Sequence, residues 1–549
     1  HGKLTAPGMG RCFNTESICS IFLHLLWIIP HALSRNNVAP STASTCSFPP
    51  LQVPSTRTRM LDATPDVVVI GSGLAGLTAA LNILDRGGKV VLLEKEAKPG
   101  GNSVKASSGI NACVVRPNDD ANDPNSIPQE ELESFVQDTI RSAGENANAE
   151  LITTLVTNSV DALQWLKDRV GVDLTRNRTQ LGGHSNARTH RPEKGAVGFT
   201  VMSALQNALK PFQESGHLKV LVSSRATKIT RKDDTTLTVD YITTADDGTD
   251  GTDQSIETPH VVLATGGFAA DRSPESLLAA NCPEYLRMPA TFGDFSTGDG
   301  IRIATSLGAG TCQMDKVQVH PTGFVDPSNP TSSSKFLCAE LLRGLGGILL
   351  NSKGERFCNE LGTRSYVTDK MFEHESHYAQ TRKWDASLPI PVFTLVLSSQ
   401  AAKEGGEHIG FYTWKKLMRP LKGITELATY MNVSVESVRA SIVEYQRQAK
   451  EGVDSFGKSV FPNVFSEDLE EEEFFAGQVT PVLHYCMGGL TTDSLGQVLD
   501  ENKEIIKGLY AAGEVVGGVH GDNRLAGNSL LECLVFGSII GKRIPIASV

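Results

Sequence analysis

The stretch Asp66-Val67-Val68-Val69-Ile70-Gly71-Ser72-Gly73-Leu74-Ala75-Gly76 constrains the fold more than any other part of the chain. Its four consecutive β-branched residues read as a central parallel strand, apolar on both faces. The glycines that follow make a turn, and Leu77–Leu84 has helical composition. Lys89–Glu94 is a second apolar strand that ends on an acid. Together they form one βαβ unit.

The spacing of Gly71, Gly73 and Gly76 is that of a dinucleotide-binding turn. The first glycine allows the tight turn and the second lets the backbone approach a pyrophosphate. The third permits close helix–strand packing, and the helix N-terminus faces the negative charge. Leu74 and Ala75 lie inside the turn and count among the cofactor contacts. Glu94 stands where a ribose-binding acid belongs. NAD would satisfy this unit as well as FAD. Three other segments favour FAD: Gly100-Gly101, Leu263-Ala264-Thr265-Gly266-Gly267 and Tyr510-Ala511-Ala512-Gly513-Glu514. They are spread along the chain, so the fold expected is α/β, with a discontinuous Rossmann-like FAD-binding domain and an inserted α+β capping domain. The expected division is a leader at 1–61, FAD-binding parts at 62–317 and 485–549, and a capping, substrate-binding unit at 318–484.

Other patterns fill in this outline. Helices are expected at about 129–144 and 149–170, and an apolar helix at about 529–540. A Thr- and Asp-rich stretch, 233–256, reads as hairpins with exposed turns such as Asp247-Gly248. The acidic run Glu467–Glu473 reads as a solvated face. Ile18–Leu33 is a short apolar run, shorter than the roughly 20 residues that a spanning helix needs. With the polar stretch 34–59 it reads either as a targeting leader or as an extension ahead of Met60. That leaves mitochondrion, endoplasmic reticulum and cytoplasm open.

With 549 residues the chain has room for two or three domains. Its formal charge of −11 and the absence of a basic stripe argue against a nucleic-acid partner. An anionic substrate would therefore need cations placed locally. The ten cysteines form neither a CxxC pair nor a haem-attachment motif, and read as scattered reduced thiols. No metal site is expected.

The inserted region and the C-terminal part carry polar motifs in Gly-rich, chain-bending contexts. They are His320-Pro321-Thr322-Gly323, Glu340-Leu341-Leu342-Arg343-Gly344, Arg356-Phe357 followed by Glu360 and Thr363-Arg364, His484-Tyr485-Cys486-Met487-Gly488-Gly489, and His520 through Ser529. Singly, each has an ordinary structural explanation. As an ordered set they resemble the soluble, single-chain fumarate reductases of the succinate dehydrogenase/fumarate reductase flavoprotein family, over about 65–545.

The resemblance implies roles. His484 and Arg524 would hold one carboxylate of a dicarboxylate substrate. His320 would help hold the other, with Thr297 near it. Arg364 would donate a proton, fed by Glu340 and Arg343, and N5 of reduced FAD would deliver a hydride, so that fumarate becomes succinate. An arginine acid is unusual, because its pKa normally lies above about 12. The resemblance also implies FAD contacts at Lys95, Gly101, Asn102, Ser107, Ser108, Gly109, Thr265, Gly266, Gly267, Asp299, Glu514, Asn528, Ser529 and Leu530.

One departure matters. Members that attach FAD covalently do so through a histidine just before a QGG-type turn. The corresponding stretch here, Gly101–Gly109, contains none. One noncovalent FAD is therefore expected, together with a reduced flavin or other small electron donor and no stable membrane complex. The alternatives are L-aspartate oxidase, a reductase of urocanate-like enoates, the flavoprotein subunit of a membrane succinate dehydrogenase docked on an iron–sulfur partner, and a non-catalytic flavin-binding protein.

Overall fold

The computed structural model describes residues 64–115, 127–244, 250–374 and 391–547. The expected leader and the turn Asp247-Gly248 lie outside the described residues.

The first strand, β1 (Val67–Ile70), leads through the glycine turn into helix α1 (Leu74–Asp85) and then β2 (Val90–Leu93). Farther along come β3 (Leu218–Leu221) and β4 (His260–Leu263). The next strands are β5 (Val317–Phe324), β6 (Ile348–Leu350), β7 (Phe393–Leu397), β8 (Arg419–Lys422) and β9 (Glu473–Cys486). Helix α2 (Arg364–His374) lies between β6 and β7, and α3 (Ser399–Trp414) follows β7. The chain ends with β10 (Gln497–Leu499), β11 (Ile505–Ala511) and α4 (Asn528–Arg543).

These strands form two main sheets. The first has the order β10-β11-β4-β1-β2-β3 and is parallel except for β10. It takes strands from both ends of the chain and none from between β4 and β10. Every residue of β1 is buried, as a central parallel strand requires. Helix α4 packs on α1 at very short range. A Cβ on Gly537 would come 2.8 Å from Ala75 O, and one on Gly541 would come 2.6 Å from Asn82 Cβ. Small residues one turn apart set this contact.

The second sheet, β5-β9-β7-β6 with β8 also paired to β9, is antiparallel and comes wholly from the intervening segment. Alternation along β6 and β7 sends Leu349 and Leu395 into one apolar core, and Ile348, Leu350 and Val396 into another. The register of β5 against β9 shifts between His320 and Gly323, where Pro321 lacks an N–H to donate. The architecture is thus mixed α/β, a discontinuous parallel-sheet domain carrying an inserted α+β unit.

Local expectations fared unevenly. The polar stretch forms a three-stranded antiparallel meander of Ser224–Arg231, Leu237–Thr244 and Asp250–Thr258. The helix expected over 149–170 is broken at Asn158 into Ala149–Thr157 and Ser159–Trp165, with a wider turn, Leu166–Val170, after it. The acidic run is solvated except at Leu469, which packs into the core, and at Glu472. That side chain is buried and accepts from Ser399 N at 2.8 Å and Ser466 N at 2.7 Å. No helix among the described residues is long and apolar enough to cross a membrane.

Candidate active site

The turn after β1 behaves as its spacing implies. Gly71 has φ +103°, and a Cβ there would lie 2.4 Å from Ala264 O. A Cβ on Gly76 would lie 2.0 Å from Gly71 O, so only glycine lets α1 sit this close to the strand end. Gly73 is different: its φ is −67°, and a Cβ would meet only Ser103 Oγ, at 3.5 Å. Neither α1, preceded by Gly73, nor α4, preceded by Gly527, has a side-chain cap. Both therefore present backbone donors and the positive end of a helix dipole. Leu74 N donates to Ser103 Oγ at 3.0 Å.

Around this turn the side chains are closely interlocked. Glu94 Oε2 accepts from Ser72 N at 3.0 Å and from the Ser72 hydroxyl, while its Oε1 accepts from Glu96 N at 2.9 Å. Lys95 Nζ donates to Thr297 Oγ1 at 2.8 Å and to Asp299 Oδ2 at 2.9 Å. Asn102 donates to Ser296 Oγ and accepts from Gly293 N. Gly101, at φ +54°, begins a short 3-10 turn. Gly109 packs so tightly that a Cβ would be 2.6 Å from His190 O, and Ser108 beside it is half-buried. The buried hydroxyls of Ser107 and Thr265 have no partner among the described residues. A Cβ on Gly266 would meet nothing within 4 Å, and one on Gly267 would meet Glu514 Oε1 at 2.6 Å. Glu514 accepts from Cys486 N at 2.9 Å, and burial pushes its carboxyl up to about 8. Uncapped helix starts, orphaned hydroxyls and glycine-lined backbone fit a flavin dinucleotide.

Two expected contacts are engaged elsewhere. Thr297 accepts from Lys95 and donates to Asp299 Oδ1 at 2.9 Å, so its hydroxyl belongs to the cluster beside β2 and not to the His320 group. Asn528 is fully buried. Its Oδ1 accepts from Asn111 Nδ2 at 2.7 Å and its Nδ2 points to Thr139 Oγ1, which leaves Ser529 and Leu530 to represent the first turn of α4. The amide of Asn528 is consumed by the protein interior.

The second cluster gathers residues from β5, β9, α2 and the Glu340–Gly344 and Asn523–Asn528 segments. Arg364 Nε donates to Glu340 Oε2 at 2.7 Å, and Arg343 Nη2 lies 3.3 Å from Glu340 Oε1. Gly182 N also donates to Oε1. Burial opposes ionisation of Glu340, but the Arg364 and Arg343 guanidiniums outweigh it and hold the carboxyl well below the usual range. Burial lowers the pKa of Arg364, while Glu340 raises it. His320 Nε2 is 3.6 Å from Glu340 Oε2, and its Nδ1 accepts from Thr322 N. Its ring meets His484 edge to face, with centroids 5.0 Å apart. Burial pushes His320 down to about 3, and His484 falls well below 6.5 through burial and the charges around it. Both shifts favour the neutral imidazole. His320 has no accessible surface, so in this conformation it backs His484 and does not line the site. Arg524 is pushed down to about 9, first by burial and then by Arg364.

Several residues that local patterns did not single out complete the cluster. Gln318 accepts from Arg364 Nη1 at 2.7 Å and donates to Arg524 O at 2.9 Å, tying the two arginines' segments together. Its position two residues before His320 was the available signal. Thr291 Oγ1 lies 2.8 Å from His484 Nδ1. Asn111 donates to Ala526 O at 2.6 Å and holds the segment that carries Arg524. Nothing local in the sequence marks Thr291 or Asn111. Among the described residues, no group of His, Cys, Asp or Glu is arranged to hold a metal.

The chain is similar to known proteins over most of its length. Residues 66–530 match the family described as "FAD binding domain". The chain is 41% identical over 526 residues to a fumarate reductase of Schizosaccharomyces pombe, spanning 95% of this chain and 96% of that one. It is 39% identical over 489 residues to fumarate reductase 1 of Saccharomyces cerevisiae, spanning 87% and 98%. Among solved structures, the open conformation of a flavocytochrome c3 fumarate reductase superposes with a TM-score of 0.64 at 28% identity. That match covers 88% of this chain and 78% of the other.

Proposed function

The chain belongs to the FAD-binding flavoprotein family that includes the fumarate reductases, and from that premise we infer that it reduces the carbon–carbon double bond of fumarate to give succinate. The carrying observation is the grouping of Arg364, Arg524, His320 and Glu340 beside the half-buried His484. The His320 ring packs edge to face on it, His320 and Arg364 share Glu340 Oε2, and Gln318 ties Arg364 to the backbone of Arg524.

Fumarate is a dianion, and a site that removes it from water must replace that solvation with donors. Arg524 and His484 take one carboxylate. With its proton on Nε2, a neutral His484 can donate to that carboxylate while Nδ1 faces the Thr291 hydroxyl. Binding this carboxylate draws electron density from the alkene, and the same preorganised donors stabilise the charge that builds up in the transition state. His320 acts through His484. FAD, held by the Gly71–Gly76 turn and the start of α4, supplies the hydride when bound.

Arg364 is the proton donor in this reading. Its burial shifts its pKa in the direction an acid requires. Arg343 and Arg364 sit on opposite oxygens of Glu340. A proton taken up on one oxygen can therefore be handed on from the other, which restores Arg364 after each turnover. The electron donor in this reading is a reduced flavin or another small molecule.

The test is oxidation of chemically reduced viologen or flavin by the FAD-loaded protein. Fumarate-dependent oxidation is expected, with urocanate inert as acceptor and L-aspartate unable to reduce the oxidised, FAD-loaded protein. Bound FAD without fumarate-dependent turnover would overturn the substrate assignment.

A further inference from the structure

The two arginines of the site are held in different ways. Arg364 has hydrogen bonds from Nε to Glu340 and from Nη1 to Gln318. Arg524 has no ion pair among the described residues, and its buried Nε has no hydrogen-bond partner. Its guanidinium lies instead over the ring of Tyr485, 4.3 Å from the centroid. Tyr485 is itself fixed on every side. Its hydroxyl donates to Glu532 Oε2 at 2.5 Å, and that same oxygen lies 2.9 Å from His520 Nε2. The His520 ring meets the Tyr485 ring edge to face, with centroids 5.5 Å apart. All four side chains are buried.

This arrangement answers a specific difficulty. A guanidinium that must receive a substrate carboxylate needs an anchor, yet a protein carboxylate in direct contact would occupy the donor pair that the substrate uses. An aromatic face anchors the cation without consuming any N–H. Adjacent strand residues point to opposite faces, so His484 reaches Thr291 and His320 while Tyr485 reaches Glu532 and His520. We propose that Tyr485 is a positioning residue for the dicarboxylate. Its ring seats Arg524 with the guanidinium donors free, and its hydroxyl, locked by Glu532 and His520, fixes the tilt of that seat. The proposal rests on the dicarboxylate reading of the site.

The experiment measures malonate binding by calorimetry, together with kcat and KM for fumarate, on FAD-loaded wild type, Tyr485→Leu, Tyr485→Phe and Glu532→Gln. Malonate carries both carboxylates and has no double bond to reduce. In Tyr485→Leu the malonate Kd and fumarate KM should rise about tenfold or more, and kcat should fall with them, because the donors of Arg524 also serve the transition state. In Tyr485→Phe and Glu532→Gln, which keep the ring but release it, the rise should be about threefold. A Tyr485→Leu protein that binds malonate as tightly as wild type overturns the proposal, as does a fall in kcat with unchanged malonate binding. If Tyr485→Leu does not load FAD, unchanged malonate affinity in both other variants overturns it. A wild type that binds no malonate removes the dicarboxylate reading itself, and shows this before any variant is made.

Discussion

Arg364 Nε donates to Oε2 of the buried Glu340 at 2.7 Å, while Arg343 Nη2 faces the other oxygen, Oε1, at 3.3 Å as an ion pair without a hydrogen bond. The carboxylate is therefore a bridge between two cations, only one of which, Arg364, retains accessible surface. Replacing Arg364 by Ala should lower kcat by about a hundredfold to ten-thousandfold, the usual worth of a positioned proton donor. The flavin absorbance of the purified protein should be unchanged. Appreciable residual turnover would remove Arg364 from the acid role.

Glu340→Gln breaks the same bridge from the middle. It should cut kcat by about a hundredfold or more while leaving two buried arginines without their counter-charge. Breaking a buried pair costs about 3–5 kcal/mol, so the thermal midpoint should fall as well. A variant with normal kcat would show that protons reach Arg364 by another route.

Stability of the FAD-free protein should peak near pH 6.5. Burial pushes His184 and His190 down to about 4 and His320 to about 3. Unfolded, these groups take up protons near pH 6.5; folded, they do not. Their contribution is complete above that pH and is lost as pH falls, by about 1.4 kcal/mol per pH unit for each group. Glu514 runs the other way. Its carboxyl is raised to about 8, so the unfolded chain ionises it first, and stability declines as pH rises from about 4.5 to about 8. Scanning calorimetry from pH 4.5 to 8.5 should show both slopes, and Glu514→Gln should flatten the upper one. Equal midpoints at pH 5 and 6.5 would contradict the buried-histidine account.

The glycines of the turn should separate folding from cofactor binding. Gly76→Ala drives a Cβ to 2.0 Å from Gly71 O and should prevent the fold from forming. Gly73→Ala meets only a contact of ordinary length, at an ordinary φ, and should fold with a near-normal midpoint. Because a pyrophosphate must approach the backbone there, this variant should lose FAD at least about tenfold more readily on gel filtration. Full flavin retention in Gly73→Ala would place the pyrophosphate elsewhere.

Acid precipitation should release all of the flavin into the supernatant. No histidine lies in the Gly101–Gly109 stretch, and His408, which approaches from α3, has its Nε2 engaged with Ser107 O at 3.1 Å. Flavin that stays with the precipitate would contradict noncovalent binding.

What could be read beforehand follows from how far apart the interacting residues are in sequence. The β1–α1–β2 unit is legible because a strand buried on both faces and a glycine turn are local patterns. Arg364, His484 and Arg524 stand out through their motifs. Thr291 could not be paired with His484, 193 positions away, nor Tyr485 with Glu532, because a hydrogen bond across such a separation leaves no local trace. Thr297 and Asn528 show the same limit. Each lies in a motif that suggests a ligand contact, yet the polar side chain is satisfied by Lys95 and Asp299 in one case, and by Asn111 in the other.

The order of strands in the parallel sheet has a consequence for how the molecule is made. β4 pairs with β1 on one side and with β11 on the other, and α4 closes over α1. As synthesis proceeds from the N-terminus, β1, β2 and β4 emerge long before the strand and helix that complete them. Until residue 511 has emerged, one edge of β4 has no partner, and until 528–543 has emerged the glycine turn faces no α4. The cradle around the glycine turn is therefore complete only once residues 505–543, made long after the turn itself, are in place.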